Sequence, residues 1–144
     1  MATVNAYLNF DGNCEAAFNF YKSAFGGEFR DLSRFGDMPP QDGMPPLPDE
    51  MKNRIMHVAL PISTETLLMG SDTLPGMGPD IKVGNNFSIS IGVHSKEEAD
   101  KFFAALSKGG EVTMPMEVTF WGAYFGMWTD KFGINWMVNY DEPK

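Results

Sequence analysis

The amino-acid sequence predicts an α+β fold in which one βαβββ module occurs twice. The tetrapeptide GGEF starts at Gly26 and the related GGEV starts at Gly109, so the two lie 83 residues apart (109 − 26). Each tetrapeptide ends a segment whose apolar residues have helical spacing, and each of these segments follows a run in which apolar and polar residues alternate. A strand and a helix therefore recur at one offset, as expected of a duplicated structural unit.

The first module is predicted to begin with the strand TVNAYLNF, in which apolar residues alternate with amides and a phenol. The helix NCEAAFNFYKSAF follows, with Asn13 or Asp11 as its cap. Its buried face is predicted to consist of small and aromatic residues: Ala16, Ala17, Phe20 and Ala24. The strands GEFRDLSRF, RIMHVALPI and ETLLMGSD complete the module. Prolines and glycines crowd residues 36–53, so we expect a surface loop there, either a functional lid or a mobile segment.

The second module is predicted to repeat this order. Its first strand is NFSISIGVHS, and its helix SKEEADKFFAALSKGG starts with Ser95 and Glu98 at the spacing of a capping box. The strands EVTMPMEVTF, AYFGMWTD and INWMVNY complete it. In these later strands the offset falls to 68 residues, as from Met69 to Met137 (137 − 69), because the loop lengthens the first module.

The two modules are each too short to form a separate domain, so we expect them to share one core. The prediction is a single domain with three parts: a first module at 1–72, a connector rich in Pro and Gly at 73–84, and a second module at 85–144, together spanning 1–144.

Composition and charge exclude several classes of partner. The 144-residue chain has a formal net charge of −8, and no cluster of Lys and Arg is present that would bind nucleic acid. The single cysteine, Cys14, cannot form an internal disulfide. No N-terminal segment combines a basic start with a long apolar run, so we expect a cytoplasmic protein that does not bind membranes.

Three stretches of the chain, YLNFDGNCEAAFNFYKSAFGGEF, MHVALPI…LLMGSD and FWGAYFGMWTDKFGINWMVN, resemble the vicinal oxygen chelate superfamily. This group contains glyoxalases, bleomycin-resistance proteins and extradiol dioxygenases. The resemblance is to its PhnB-like branch, also labelled the 3-demethylubiquinone 3-methyltransferase-like domain. It implies two βαβββ modules whose curved mixed sheets cup a cavity, and it implies a homodimer.

The resemblance also bears on metal binding. Metal-dependent members of the superfamily place one ligand on the first strand and one on the last strand of each half, and these positions align here with Asn5, Met69, Ser88 and Met137. A thioether is a soft ligand, and a neutral amide or hydroxyl is a weak one, for the divalent ions that these enzymes use. We therefore expect no catalytic metal and no other cofactor.

Other candidate residues come from the predicted strands. His57 could act as a general base or orient a ligand, although a histidine in this position could equally be a structural one held by a neighbour. Glu117 is a second catalytic candidate. The aromatic run from Phe120 to Trp136 could form a flat ligand-binding wall or an aromatic core. The predicted cavity lining combines polar, thioether and aromatic groups: Asn5, Tyr7, His57, Met69, Ser88, Trp121, Tyr124, Trp128 and Met137.

These residues favour the binding of a small organic molecule, either for sequestration or for a reaction that the sequence does not identify. One alternative is a metal-dependent lyase or dioxygenase of the glyoxalase type, with the metal held elsewhere through His57 and Glu117. The other alternative is a structural or interaction module without a ligand.

Overall fold

The computed structural model describes residues 2–39, 43, 46–76 and 78–143. The chain divides into two compact units, residues 1–82 and 83–144, and each unit is described by itself. Within the described ranges, no helix combines the length and the apolar character that crossing a membrane requires.

The first unit contains one βαβββ module. Its elements, in chain order, are β1 (Ala6–Phe10), α1 (Cys14–Phe25), β2 (Asp31–Arg34), a 3-10 turn (Phe35–Asp37), α2 (Asp49–Lys52), β3 (Ile55–Pro61) and β4 (Leu67–Asp72). The strands form a four-stranded mixed sheet in the order β1-β4-β3-β2. The pair β1–β4 is parallel and the other pairs are antiparallel.

The second unit repeats this topology. Its elements are β5 (Ile89–Gly92), α3 (Lys96–Ser107), β6 (Glu111–Val118), β7 (Ala123–Thr129) and β8 (Asn135–Asp141). The sheet order is β5-β8-β7-β6, with β5 and β8 parallel. The predicted α+β fold with two βαβββ modules is thereby confirmed.

The strand register reproduces the offsets found in the sequence. Tyr7 pairs with Met69 in the first unit and Ser90 pairs with Met137 in the second, so the first strands differ by 83 (90 − 7) and the last strands by 68 (137 − 69). Ala59 and Met127, which pair with the same two methionines from the third strands, also differ by 68 (127 − 59). The duplication therefore extends to individual hydrogen-bonded positions.

Each sheet has one face against its helix. A Cβ added to Gly70 would lie 2.7 Å from a ring carbon of Phe18, so Gly70 faces α1 together with its register partner Leu8. In the second unit, a Cβ added to Gly126 would lie 3.1 Å from Phe103 of α3. Because side chains alternate between the two faces of a strand, the residues between these positions lie on the other face, here called the helix-distal face.

The helix boundaries match the sequence prediction better than the details of capping and burial do. Ala16 is exposed rather than buried, and the buried residues of α1 are Cys14, Ala17, Phe18, Tyr21 and Ala24. Asn13 is the N-cap residue but makes no capping hydrogen bond with its side chain. In α3, by contrast, Ser95 caps the helix as predicted, because its Oγ accepts a hydrogen bond from the amide of Glu98 at 3.1 Å. The other half of the capping box is shifted by one residue, since Glu98 Oε1 accepts a hydrogen bond from the amide of His94 rather than from that of Ser95.

The proline-rich segment is not irregular throughout. The 3-10 turn and the short helix α2 lie at its two ends, where the sequence analysis expected no regular structure. Residues 40–42, 44 and 45 of the 36–53 loop lie outside the described residues. A role of this loop as a lid stays a prediction.

Candidate functional site

The helix-distal face of the first unit carries a row of four residues, one from each strand. Tyr7 on β1 is opposite Met69 on β4, Met69 is opposite Ala59 on β3, and Ala59 is opposite Asp31 on β2. A phenol, a thioether, a methyl group and a carboxylate therefore lie side by side across the sheet. Two of the predicted cavity residues, Tyr7 and Met69, are direct neighbours in this row.

His57 adds an imidazole to the same face, two residues before Ala59 on β3. Its Nδ1 lies 3.3 Å from the hydroxyl of Tyr7, and the two rings are stacked with centroids 5.7 Å apart and an angle of 27° between their planes. Its Nε2 lies 3.9 Å from Oδ2 of Asp31. The structure thus brings together Tyr7 and His57, two residues that were predicted to line a cavity, and adds the carboxylate of Asp31, which was not among the predicted site residues.

Asp31 was not predicted as a site residue because His57, the residue that it lies beside, is on a different strand. Nothing in the local sequence of GEFRDLSRF shows that β2 pairs with β3 in the register that puts Asp31 beside Ala59. The only available signal was alternation within β2, which places Asp31 and Ser33 on one face of the strand without saying which residues they meet.

Asn5 has a local structural role in the first unit. Its side-chain oxygen Oδ1 accepts a hydrogen bond from the amide of Leu67 at 3.0 Å, which holds the segment before β1 to the start of β4. An amide oxygen engaged with a backbone donor is a still weaker metal ligand than a free one. Met69, the other position that the superfamily resemblance implicates here, offers only a thioether.

The corresponding row of the second unit is dominated by methionine. Met114, Met127, Met137 and Ser90 lie directly across β6, β7, β8 and β5 on the helix-distal face. Ser88 immediately precedes β5 and is half-buried. Thioether side chains are flexible and polarizable, so this row provides an adaptable apolar surface.

Glu117, the second catalytic candidate, is exposed on β6 and lies opposite Phe125 on the helix-distal face. Trp121 is 57% exposed in the turn between β6 and β7. Its indole contacts Phe125 edge-on, with ring centroids 6.1 Å apart. Phe125 is therefore a neighbour of both residues, through strand pairing with Glu117 and through ring contact with Trp121.

Tyr124 and Trp128 lie on the opposite face of β7, toward α3. Trp128 is 1% exposed and stacks on Trp136, with ring centroids 6.4 Å apart, and contacts Phe103 edge-on. The hydroxyl of Tyr124 donates a hydrogen bond to Asp100 of α3 at 2.6 Å, and this bond raises the pKa of Tyr124. Both aromatic side chains thus contribute to the interface between helix and sheet, and the structure does not bring them together with Met137.

The donor groups present do not fit the divalent metal that the superfamily resemblance implies. Two thioethers, one hydroxyl and an amide already bonded to the backbone occupy the four aligned positions. Among the described residues, His, Cys, Asp and Glu side chains form no group of three or more that could hold a metal ion.

Comparison with known proteins identifies related chains. The model of the Glyoxalase/Bleomycin resistance protein/Dioxygenase superfamily matches residues 3–138. Protein YjdN of Escherichia coli (strain K12) is 32% identical over 141 residues, covering 94% of this chain and 93% of that protein. The crystal structure of protein PA1353 from Pseudomonas aeruginosa is similar with 40% identity and a TM-score of 0.84, covering 99% of this chain and 100% of that one. The PhnB protein from Bacillus cereus shares the fold, with 23% identity, a TM-score of 0.74 and coverage of 96% and 99%.

Proposed function

Because the chain belongs to the glyoxalase/bleomycin resistance protein/dioxygenase superfamily and has the PhnB-like fold, we propose that it binds a small organic molecule. The proposed surface is the helix-distal face of its sheets. We propose further that binding does not require a divalent metal at the positions that metal-dependent members of the superfamily use.

The observation that carries this proposal is the chemistry of the register positions shared by the two units. On the last strands these positions are Met69 and Met137, which favour apolar contact over metal ligation. Beside Met69 stand the phenol of Tyr7 and the imidazole of His57, which can form hydrogen bonds with a ligand. Ligand sites commonly combine a mainly apolar surface with a few placed polar groups, and Met69, Tyr7 and His57 supply both within the first unit.

Extraction of the purified protein tests the proposal. Protein prepared without chelator is denatured, and its small-molecule fraction is compared by mass spectrometry between the wild type, Met69→Glu and the volume-conserving control Met69→Leu. We expect one reproducible compound from the wild type and the control, with a marked loss from Met69→Glu because a carboxylate would replace the apolar contact beside Tyr7. Recovery of no compound from the wild type, together with no saturable binding in a ligand screen, would favour the interaction-module alternative.

Metal analysis of the same preparation separates the proposal from the metal-dependent lyase or dioxygenase. We expect substoichiometric Zn, Ni, Fe and Mn in the wild type, His57→Ala and Glu117→Ala alike. One metal per chain in the wild type that is lost in either variant would overturn the proposal.

The superfamily resemblance also leads us to propose a homodimer. Sedimentation equilibrium should give twice the mass of one chain at micromolar concentration, and the mass of a single chain would contradict this.

A further inference from the structure

We propose that Asp31 is a positioning residue that orients His57 so that its Nδ1 accepts a hydrogen bond from the Tyr7 hydroxyl. The Tyr7 oxygen then accepts a hydrogen bond from a hydroxyl or amide group of a neutral ligand. This inference rests on the proposed function, because it assigns a ligand chemistry to the same face. It also makes a prediction about the ligand-free protein that does not depend on any ligand.

The geometry around the imidazole assigns a role to each of its nitrogens. The carboxylate of Asp31 is 3.9 Å from Nε2, and the hydroxyl of Tyr7 is 3.3 Å from Nδ1. A negative charge near Nε2 favours the tautomer with its proton on that nitrogen, as the carboxylate does in other histidine pairs. Nδ1 of neutral His57 then carries only a lone pair, and the Tyr7 hydroxyl has to be the donor of their hydrogen bond.

The direction of this bond determines what Tyr7 can offer a ligand. A phenol whose proton points at an imidazole retains oxygen lone pairs, so toward a ligand it acts as an acceptor. The Tyr7 residue is 44% exposed, which leaves its hydroxyl within reach of a bound molecule. A ligand at this position therefore has to supply a hydrogen-bond donor.

Charge and neighbouring groups narrow the ligand class further. Asp31 is exposed over 57% of its side chain and places a negative charge on this face, which disfavours carboxylates and phosphates. Met69 is directly opposite Tyr7 in the sheet and provides an apolar thioether side chain on the same face. The chemistry that fits is a neutral compound with a hydroxyl or amide donor attached to an apolar body, of which phenol is the simplest example.

The second unit provides an internal contrast. At the register positions equivalent to Tyr7 and Asp31 it carries Ser90 and Met114, because Asp31 pairs with Ala59 as Met114 pairs with Met127. The arrangement of phenol, imidazole and carboxylate thus belongs to the first unit, although both units share one strand register.

Nitrogen-15 NMR of the histidine rings in the ligand-free protein tests the positioning. At about pH 8, where an ordinary imidazole is neutral, His57 should be protonated on Nε2. Asp31→Asn should reduce this preference, and Asp31→Glu should restore it in part. Tyr7→Phe should shift the Nδ1 resonance toward that of an unbonded nitrogen without changing the tautomer. His94, whose side chain is exposed, is the control resonance within the same spectra.

Titration with phenol, anisole and benzoate tests the ligand chemistry. Phenol should shift the resonances of His57 and its neighbours saturably, whereas anisole, which lacks the donor, and benzoate, which is an anion, should bind at least about fivefold more weakly. Tyr7→Phe should weaken phenol binding by about the same factor, which is the worth of one hydrogen bond.

The outcomes test the positioning role of Asp31 and the assigned ligand class separately. A His57 tautomer that is protonated on Nδ1, or that does not respond to Asp31→Asn, would overturn the positioning role whether or not a ligand is found. The expected tautomer combined with equal binding of phenol and anisole would overturn the assigned ligand class. Recovery of no compound in the extraction experiment, together with no saturable binding in the ligand screen, refutes the proposed function and leaves the tautomer result as an independent measurement.

Discussion

Replacing Asp72 by Asn should destabilise the first unit strongly, because this buried carboxylate connects three separate segments. Its Oδ1 accepts hydrogen bonds from the amides of Gly12 at 2.9 Å and Cys14 at 3.0 Å, and its Oδ2 accepts one from the amide of Ile55 at 2.8 Å. The residue is 3% exposed. A side chain at the end of β4 therefore fixes the start of α1 and the start of β3.

The magnitude follows from the three bonds. An asparagine can turn its oxygen toward Gly12 and Cys14, but its NH2 group then faces the amide of Ile55, so one buried donor loses its acceptor at a cost of about 1 to 3 kcal/mol. The two remaining bonds lose the assistance of the negative charge, which roughly halves their strength. We expect a total loss of about 2 to 4 kcal/mol in the free energy of unfolding.

Urea unfolding followed by circular dichroism and by tryptophan fluorescence measures this loss. All three tryptophans lie in residues 83–144, so their fluorescence reports on the second unit, whereas circular dichroism reports on both units. The control is Asp80→Asn, which removes one negative charge at an exposed position. A difference between Asp72→Asn and this control of less than about 0.5 kcal/mol would refute the argument, because it would fall within the range of ordinary surface substitutions.

Three further substitutions and modifications test the packing of the two units. Trp136→Phe should lower the free energy of unfolding, measured in urea, by about 1 to 3 kcal/mol more than Trp128→Phe does. The reason is that the Trp136 indole donates a hydrogen bond to the buried carboxylate of Asp130, whereas the Trp128 indole has no hydrogen-bond partner among the described residues. Equal losses would contradict this. The Cys14 thiol is fully buried, and its pKa is raised from 9.0 to about 12, chiefly by burial. Iodoacetamide at about pH 8 should therefore modify it only after unfolding. The free energy of unfolding should also fall as the pH rises above 9.0, because the thiol of the unfolded chain loses its proton at a lower pH than the thiol of the folded chain. Rapid labelling of the native protein would show that this description of the thiol is wrong. Gly70→Ala should lower the free energy of unfolding by about 1 to 3 kcal/mol, because the added Cβ would lie 2.8 Å from a carbonyl oxygen of the neighbouring strand. The control Gly92→Ala, with no described atom within 4 Å of the added Cβ, should change it by less than about 0.5 kcal/mol. A larger loss for Gly92→Ala than for Gly70→Ala would disprove the steric explanation.

The sequence was sufficient to predict the fold because alternation and helical spacing depend on neighbouring residues. The strand that contains Leu8 and Phe10 buries both, as its alternation indicates, and the cap of α3 lies within one turn of its helix. Long-range hydrogen bonds were not accessible in the same way. The carboxylate at the start of α1 comes from Asp72, 58 residues after Cys14, and no local pattern marks that residue as a cap.

The contacts between strands in the candidate site were likewise not accessible from the sequence, although the position of one residue, Trp128, was. Tyr7 and His57 were predicted to line the cavity and lie together on the helix-distal face of the first unit, whereas their neighbour Asp31 could not be identified without the register between β2 and β3. The placement of Trp128, however, could have been derived. The offset of 68 residues that relates Met69 to Met137 also relates the core residue Leu60 to Trp128 (128 − 60), because both pairs obey the same strand register.

Applied consistently, that offset also gives the residue of the second unit that corresponds to His57. It is Phe125 (125 − 57 = 68), which lies on the helix-distal face opposite Glu117. Two units with the same backbone pairing thus differ at this position by an imidazole in one and a phenyl ring in the other. The strand register is determined by the backbone and by the apolar faces against the helices, so residues on the helix-distal face can be substituted without a change of register. A polar surface in the first unit and a thioether and aromatic surface in the second are therefore compatible with one fold, and the ligand chemistry proposed for the first unit follows from this divergence.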